Sequence, residues 1–209
     1  VYKGQAQPDL QVAAVLTRFQ SGVWSKKGSE IKTVKDLKGK RVGSGYASQQ
    51  IIAELMKGIL ANGGLGYDDV QQVPTSSVVS GADDFAAGKT DVFFFAMGAA
   101  KVQETDAKVP TQFITLDPSP EAVKRMNQFV PGTFAAPIAP SPANTGVTAP
   151  GYIQTYYYLL LTNKKVSEDL VYATVKAMAE NKADLVASFP ALGEFDPKEG
   201  RDTGIRSAG

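Results

Sequence analysis

The chain contains no cysteine and no histidine among its 209 residues. Without cysteine there can be no disulfide, no thiolate zinc site and no cysteine nucleophile. Without histidine there is no Ser-His-Asp triad and no imidazole base or metal ligand. Any catalysis would therefore rest on carboxylates, lysine, tyrosine or serine. The lack of cysteine is compatible with a cytosolic and with an oxidising compartment, so it does not fix the location.

The sequence also lacks an excess of one charge and a long apolar run. The 22 Lys and Arg residues nearly balance the 21 Asp and Glu residues, and like charges do not cluster, so we expect no nucleic-acid partner and no anionic-lipid partner. The longest apolar stretch, residues 155–162, is far shorter than the ~20 residues that cross a bilayer. A hydrophobic content of 43% is enough for one or two globular cores.

Strands and helices alternate in the sequence between residues 33 and 96, which favours an α/β sheet with parallel crossovers. The most regular helix runs from Ile51 to Leu60, where apolar residues recur with a period of 3.6 and Asn62-Gly63-Gly64 supplies the stop. A second helix is predicted to begin at Ser80, with Asp83 as the acidic half of a capping box. The strands predicted around these helices are 41–45, 70–73 and 91–96.

Elements outside this region are predicted from shorter patterns. Residues 130–150 are rich in proline and are predicted to be irregular. The remaining predicted elements are strands at 10–16, 22–25, 113–116 and 156–161, a short helix at 120–128, and a helix from Ser167 with an apolar face that reaches Leu185.

The best candidate site is the segment Gly43–Gln50, which joins a strand end to a helix start, where unpaired backbone N–H groups attract anions. The first turn of this helix contains no acid, whereas the helix after Ser167 begins with Glu168 and Asp169. An anion such as a carboxylate is therefore the expected ligand. The same residues would also suit a simple turn and helix cap. The glycine spacing matches neither a phosphate-binding loop nor a dinucleotide fingerprint.

A second candidate, Phe95–Gly98, ends a strand that we expect at the same carboxyl edge of the sheet, where open α/β folds bind ligands. Phe93 and Phe94 are expected in the core. In a strand, Tyr157 points away from Tyr156 and Tyr158, so one or two of the three tyrosines could reach a ligand.

Several stretches of the chain together resemble a known family. The run Lys35–Val42, followed by Gly-Ser-Gly and a helix, resembles the type II periplasmic binding proteins. More narrowly, Gly81–Val92, Pro131–Phe134 and Asp169–Tyr172 resemble the TAXI group of TRAP-transporter substrate-binding proteins. The similarity covers nearly the whole chain.

This resemblance implies an α/β, type II periplasmic-binding-protein-like fold, with a mixed sheet, flanking helices and two lobes, of which the first is incomplete. Residues 1–19 would be a remnant of the first lobe. Residues 20–160 would form the second, ligand-binding lobe with its hinge strands around Val23-Trp24 and Tyr157–Leu160, and residues 161–209 would return to the first lobe. We expect residues 1–209 alone to bind ligand weakly or not at all.

The resemblance further implies an extracytoplasmic (periplasmic) receptor, exported by a leader in its precursor, that delivers a small organic anion or amino acid to the permease subunits of a TRAP transporter. It would be a monomer without cofactor, metal or catalysis. The implied ligand-binding residues are Ser44, Gly45, Tyr46, Ala47, Ser48, Gln49, Phe95, Ala96, Met97 and Gly98. Residues 46–49 depart from the family's Gly- and Thr-containing loop, so the resemblance does not identify the solute. The alternatives are an enzyme on the same fold and a ligand-sensing regulatory domain.

Overall fold

The computed structural model describes residues 6–198, which contain seven β-strands and six α-helices. The strands are β1 (Leu10–Lys26), β2 (Arg41–Gly45), β3 (Gln71–Thr75), β4 (Val92–Ala96), β5 (Thr111–Ile114), β6 (Phe134–Ile138) and β7 (Gly151–Asn163). The helices are α1 (Gln50–Asn62), α2 (Val78–Ala86), α3 (Ala100–Lys108), α4 (Pro120–Asn127), α5 (Glu168–Glu180) and α6 (Lys182–Ser188). Three 3-10 turns lie at Val34–Leu37, Tyr67–Asp69 and Pro190–Glu194.

The strands form one larger mixed sheet and one parallel pair. In the larger sheet the order is β4-β1-β7-β6, and β5 also pairs with β1. The ladders of β1 with β4 and β5, and of β6 with β7, are antiparallel. Strands β2 and β3 pair in parallel. The predicted mixed α/β sheet with flanking helices is confirmed, although β4 forms its ladder antiparallel to β1.

Contacts along the chain divide it into two compact units. One unit is Gln20–Thr155, and the other combines Val1–Phe19 with Tyr156–Gly209. Strands β1 and β7 each contribute to both units. The break within β7 falls five residues before the predicted lobe boundary at 160, and the assignment of these units to lobes stays a prediction. The predicted first-lobe segments, residues 1–19 and 161–209, include residues 1–5 and 199–209, which lie outside the described residues.

The core of the unit Gln20–Thr155 is built around Trp24, which is fully buried. The indole stacks on Phe93 at a centroid distance of 5.5 Å and meets Phe113 edge-on at 5.7 Å. Its Nε1–H donates to the Thr145 carbonyl at 2.9 Å, which ties the loop before β7 to the core. Val23-Trp24, predicted near the hinge, thus lies inside this core.

The described residues of the other unit include few buried side chains. None of the residues of α5 and α6 is buried. Phe195, with 1% of its surface exposed, is buried instead. The carboxylate of the preceding Glu194 accepts hydrogen bonds from the Arg18 backbone N–H, the Arg18 guanidinium and the Thr17 hydroxyl. One carboxylate thereby holds the Pro190–Glu194 turn against β1.

Several predicted boundaries change in the structure. The predicted strands at 10–16 and 22–25 are one strand, β1, and the proline-rich stretch contains β6. Helix α3 was not predicted. The predicted N-cap at Ser80 is wrong, because Ser77 caps α2 and its hydroxyl accepts from the Ser80 N–H. The helix after Ser167 ends at Glu180, and α6 follows separately after Asn181.

Substitution of Gly146 tests how tightly the loop between β6 and β7 packs on Trp24. Its φ is +81°, and an added Cβ would lie 2.7 Å from Trp24 Cδ1. Gly132 has a similar φ of +82° but nothing within 4 Å of the added Cβ. We expect Gly132→Ala to lower the unfolding free energy by about 1 kcal/mol through the backbone alone. Gly146→Ala should lower it by about 2 kcal/mol more through overpacking.

The measurement is urea unfolding followed by the fluorescence of Trp24, the single tryptophan of the chain. Equal losses for the two variants would contradict the packing of this loop on the indole.

Candidate functional site

The segment between β2 and α1 turns sharply through two left-handed residues. Gly45 has φ +82° and Tyr46 has φ +48°. The Tyr46 N–H donates to the Ser44 carbonyl at 3.0 Å, and the Gln49 N–H donates to the Tyr46 carbonyl at 2.8 Å. Helix α1 then begins at Gln50 without a side-chain cap. The predicted junction of a strand end and a helix start is confirmed.

A second loop, between β3 and α2, lies directly beside the first. Parallel pairing places Gly45 opposite Thr75 at the ends of β2 and β3. The Ser48 N–H and hydroxyl both donate to the Ser76 carbonyl, at 3.0 and 2.6 Å. The side-chain carbonyl of Gln49 accepts from the Val78 N–H at 2.9 Å. Ser48 and Gln49, predicted as ligand-binding residues, therefore join the starts of α1 and α2 in this structure.

The second loop carries hydroxyls that were not predicted as site residues. The Ser80 hydroxyl lies 2.9 Å from that of Ser77, 3.0 Å from that of Ser76 and 3.2 Å from that of Thr75. Its oxygen also accepts from the Ser77 N–H at 3.0 Å. The run Thr75-Ser76-Ser77, which follows a predicted strand, is the sequence pattern that could have indicated these hydroxyl residues. Sequence spacing alone does not show that this run borders Ser48.

The helices that follow β2, β3 and β4 all begin without an acid. Helices α1, α2 and α3 have no Asp or Glu in the first turn. By contrast, α4 has Glu121, α5 has Glu168 and Asp169, and α6 has Asp184. The N–H groups of Gln50 and Ile51 have no acceptor among the described residues. The positive ends of α1, α2 and α3 are therefore not neutralised by their own first turns.

An ion pair links the start of β4 to the start of β2. The Asp91 carboxylate accepts from the Arg41 N–H at 2.7 Å and from the guanidinium at 2.6 and 3.2 Å, and the Asp91 N–H donates to the Arg41 carbonyl. Both strands are five residues long and they contact each other. The ion pair therefore fixes the start of β4 beside the start of β2, while the placement of residues 95–98 at one sheet edge with residues 43–50 stays a prediction.

The predicted site residues differ in exposure. Gly45, Ala47, Ser48, Gln49 and Gly98 are exposed, Phe95, Ala96 and Met97 are half-buried, and Ser44 and Tyr46 are buried. Phe95 and Met97 pack against the Trp24 cluster. The predicted tyrosines of β7 lie in the other unit, where the Tyr158 ring stacks on Phe19 at 4.8 Å. Ligand contact by any of these residues stays a prediction.

The described part of the chain offers neither a metal centre nor a membrane helix. Within residues 6–198, no group of three or more Asp or Glu side chains is arranged to hold a metal ion. No helix in the same range has the length and apolar composition needed to cross a bilayer.

Comparison with known proteins establishes the family. A model of the NMT1-like family matches residues 1–203, and the chain belongs to this family. A search of curated protein sequences gave no match.

Solved structures similar to this chain include periplasmic binding proteins. One is a putative periplasmic sulfonate-binding protein, SsuA, from Methylobacillus flagellatus, with 16% identity, 94% of this chain and 53% of that chain covered, and a TM-score of 0.47. Another is the L-cystine solute receptor of Neisseria gonorrhoeae, with 15% identity, 89% and 59% coverage, and a TM-score of 0.44. A third is the aliphatic sulphonate binding protein SsuA from Escherichia coli, with 18% identity, 51% and 39% coverage, and a TM-score of 0.38. The chain spans less than two thirds of the length of each of these proteins.

The link between Arg41 and Asp91 predicts a specific pH dependence. Burial by itself would raise the pKa of Asp91, but the hydrogen bonds and charge of Arg41 lower that pKa below its ordinary value. A carboxylate whose pKa is lowered on folding stabilises the protein above its unfolded pKa of about 3.9 and loses this contribution as the pH falls through the folded pKa. Asp91→Asn should therefore reduce stability at pH 7 and flatten the acid-induced loss of stability.

The control is Asp68→Asn, since the exposed carboxylate of Asp68 makes no hydrogen bond or ion pair within residues 6–198. Urea unfolding midpoints between pH 7 and 3 are compared. A wild-type slope in Asp91→Asn would show that Arg41 does not stabilise the charged form.

Proposed function

We propose that this chain is the ligand-binding part of an extracytoplasmic solute receptor that delivers a small organic anion or amino acid to a TRAP-type membrane transporter. Export would depend on a leader in the precursor. The observation that carries the proposal is the set of acid-free helix starts: α1 and α2, which follow the paired strands β2 and β3, and α3, which follows β4. A carboxylate is the chemical group that acid-free helix starts favour.

The arrangement of hydrogen bonds supports an anion over a cation. Ser48 donates both its N–H and its hydroxyl to one carbonyl, and Gln49 uses its side-chain oxygen to accept from Val78. These bonds satisfy groups of the two loops and leave the N–H groups of Gln50 and Ile51 to a ligand. A solute that carries a carboxylate can accept from both.

The narrower assignment to the TAXI group rests on the sequence resemblance. The resembling run Gly81–Val92 covers most of α2 and the start of β4, including Asp91, which pairs with Arg41. The resembling residues thus include one partner of the ion pair that links β2 to β4. We propose binding without chemical conversion, because the chain has no histidine or cysteine to supply a conventional base or nucleophile.

A charge placed in the first turn of α1 tests the proposal. Gln50→Glu should stabilise the free protein by about 0.3–1 kcal/mol, because a carboxylate favours a helix N-terminus. The same charge should repel an anionic solute and abolish the ligand-dependent stabilisation, which is about 2.7 kcal/mol at a ligand concentration of 100 Kd. The substitution should raise the stability of the free protein and remove the stabilisation by ligand. A variant that merely folds poorly would lose stability without ligand, so the two cases are distinguishable.

The measurement is thermal unfolding of the intact protein with a panel of dicarboxylates, keto acids, amino acids and sulfonates. The matched control is Ala107→Glu, which adds the same charge at an exposed position in the last turn of α3. This control should keep the ligand-dependent shift. Absence of a shift for every compound with the wild type, or an unchanged shift in Gln50→Glu, would contradict the proposed anion site.

A further inference from the structure

Tyr46 adopts a backbone conformation that is costly for its residue type. Its φ of +48° lies in the left-handed region, and among the described residues it is the only non-glycine residue with positive φ. For a residue with a Cβ this conformation costs about 1–2 kcal/mol. Contacts of the side chain must offset that cost for the loop to persist.

The ring of Tyr46 lies behind the loop, with 2% of the residue surface exposed. A Cβ built on Gly43 would lie 3.0 Å from the Tyr46 hydroxyl oxygen, and one built on Gly81 would lie 4.0 Å from Cε1. The ring therefore occupies space that the missing side chain of Gly43 leaves, and it lies within van der Waals range of Gly81 in α2. It thus lies near β2 and near α2, the elements that precede the first loop and follow the second.

The hydroxyl of Tyr46 contributes little to this anchoring. It forms no hydrogen bond with any described residue, whereas the neighbouring Tyr67 hydroxyl donates to the Gly43 carbonyl at 3.3 Å. Burial, together with the nearby Tyr67, raises the pKa of Tyr46, so the hydroxyl stays neutral. The apolar ring, rather than the polar group, accounts for the buried position.

We propose that Tyr46 is a positioning residue, whose buried ring holds residues 45–49 in the conformation that directs the N–H groups of Gln50 and Ile51 outward. This inference rests on the proposed anion site and replaces the ligand contact that the sequence predicts for Tyr46. The specificity of the site would then depend on a side chain that does not contact the solute.

Two substitutions separate the ring from the backbone preference. Tyr46→Phe keeps the ring and its backbone cost but removes the hydroxyl. Tyr46→Asn removes the ring, although asparagine adopts the left-handed conformation more readily. If the ring positions the loop, the phenylalanine variant preserves it and the asparagine variant does not.

The readout is hydrogen exchange of the ligand-free, intact protein, followed by mass spectrometry. The N–H groups of Ser48, Gln49 and Ile52 are protected by hydrogen bonds to Ser76, Tyr46 and Gln49. In Tyr46→Phe their exchange should stay within about twofold of wild type. In Tyr46→Asn it should be about tenfold faster or more, with α4 as the internal reference for global stability.

A double-mutant cycle covers the case in which Tyr46→Asn does not fold. Gly43→Ala should be less destabilising in the Tyr46→Phe background than in wild type, because the hydroxyl that its Cβ would approach is gone. Faster exchange of the loop in Tyr46→Phe, wild-type exchange in Tyr46→Asn, or no coupling in the cycle would each overturn the inference. Because no ligand is present, these outcomes are independent of whether an anion binds.

Discussion

Parallel pairing of β2 with β3 is the constraint on which the candidate site depends. In a parallel pair both strands end at the same edge, so the crossover helices that follow must begin side by side. The register of Gly45 opposite Thr75 brings the two connecting loops within hydrogen-bonding distance. The ion pair of Arg41 and Asp91 links the starts of β2 and β4. The neighbouring helix starts of α1 and α2 follow from the parallel register.

The electrostatics of the site follow from residues that are missing. At α5, Glu168 and Asp169 satisfy the positive end of the helix, which is the usual stabilising choice. The first turns of α1, α2 and α3 contain no acid. Ser48 and Gln49 instead form hydrogen bonds between the loops that precede α1 and α2. The lack of an acid at the positive ends of these three helices is the feature on which the proposed anion site rests.

Periodic patterns predicted elements well, and local caps and irregular segments were predicted poorly. Helix α1 has a regular apolar face and a glycine stop, and its extent was predicted to within a few residues. Ser80 was mistaken for the cap of α2, because Ser77 and Ser80 are both suitable residue types and only the backbone conformation decides between them. Strand β6 was missed because its proline masks the strand pattern, although pairing with β7 stabilises it.

By itself the sequence determined the strand-loop-helix order at Gly43–Gln50, the absence of acids in that first turn, and the chemistry excluded by the lack of histidine and cysteine. These properties are local, so they are visible without a fold. Tertiary structure decided that Ser48 bonds to Ser76, that Gln49 bonds to Val78, and that the Tyr46 ring is buried behind the loop. The two hydrogen bonds join segments about 30 residues apart in the chain, and the Tyr46 ring packs against residues from both segments. Strand pairing brings these segments together, and the local sequence pattern does not encode that pairing.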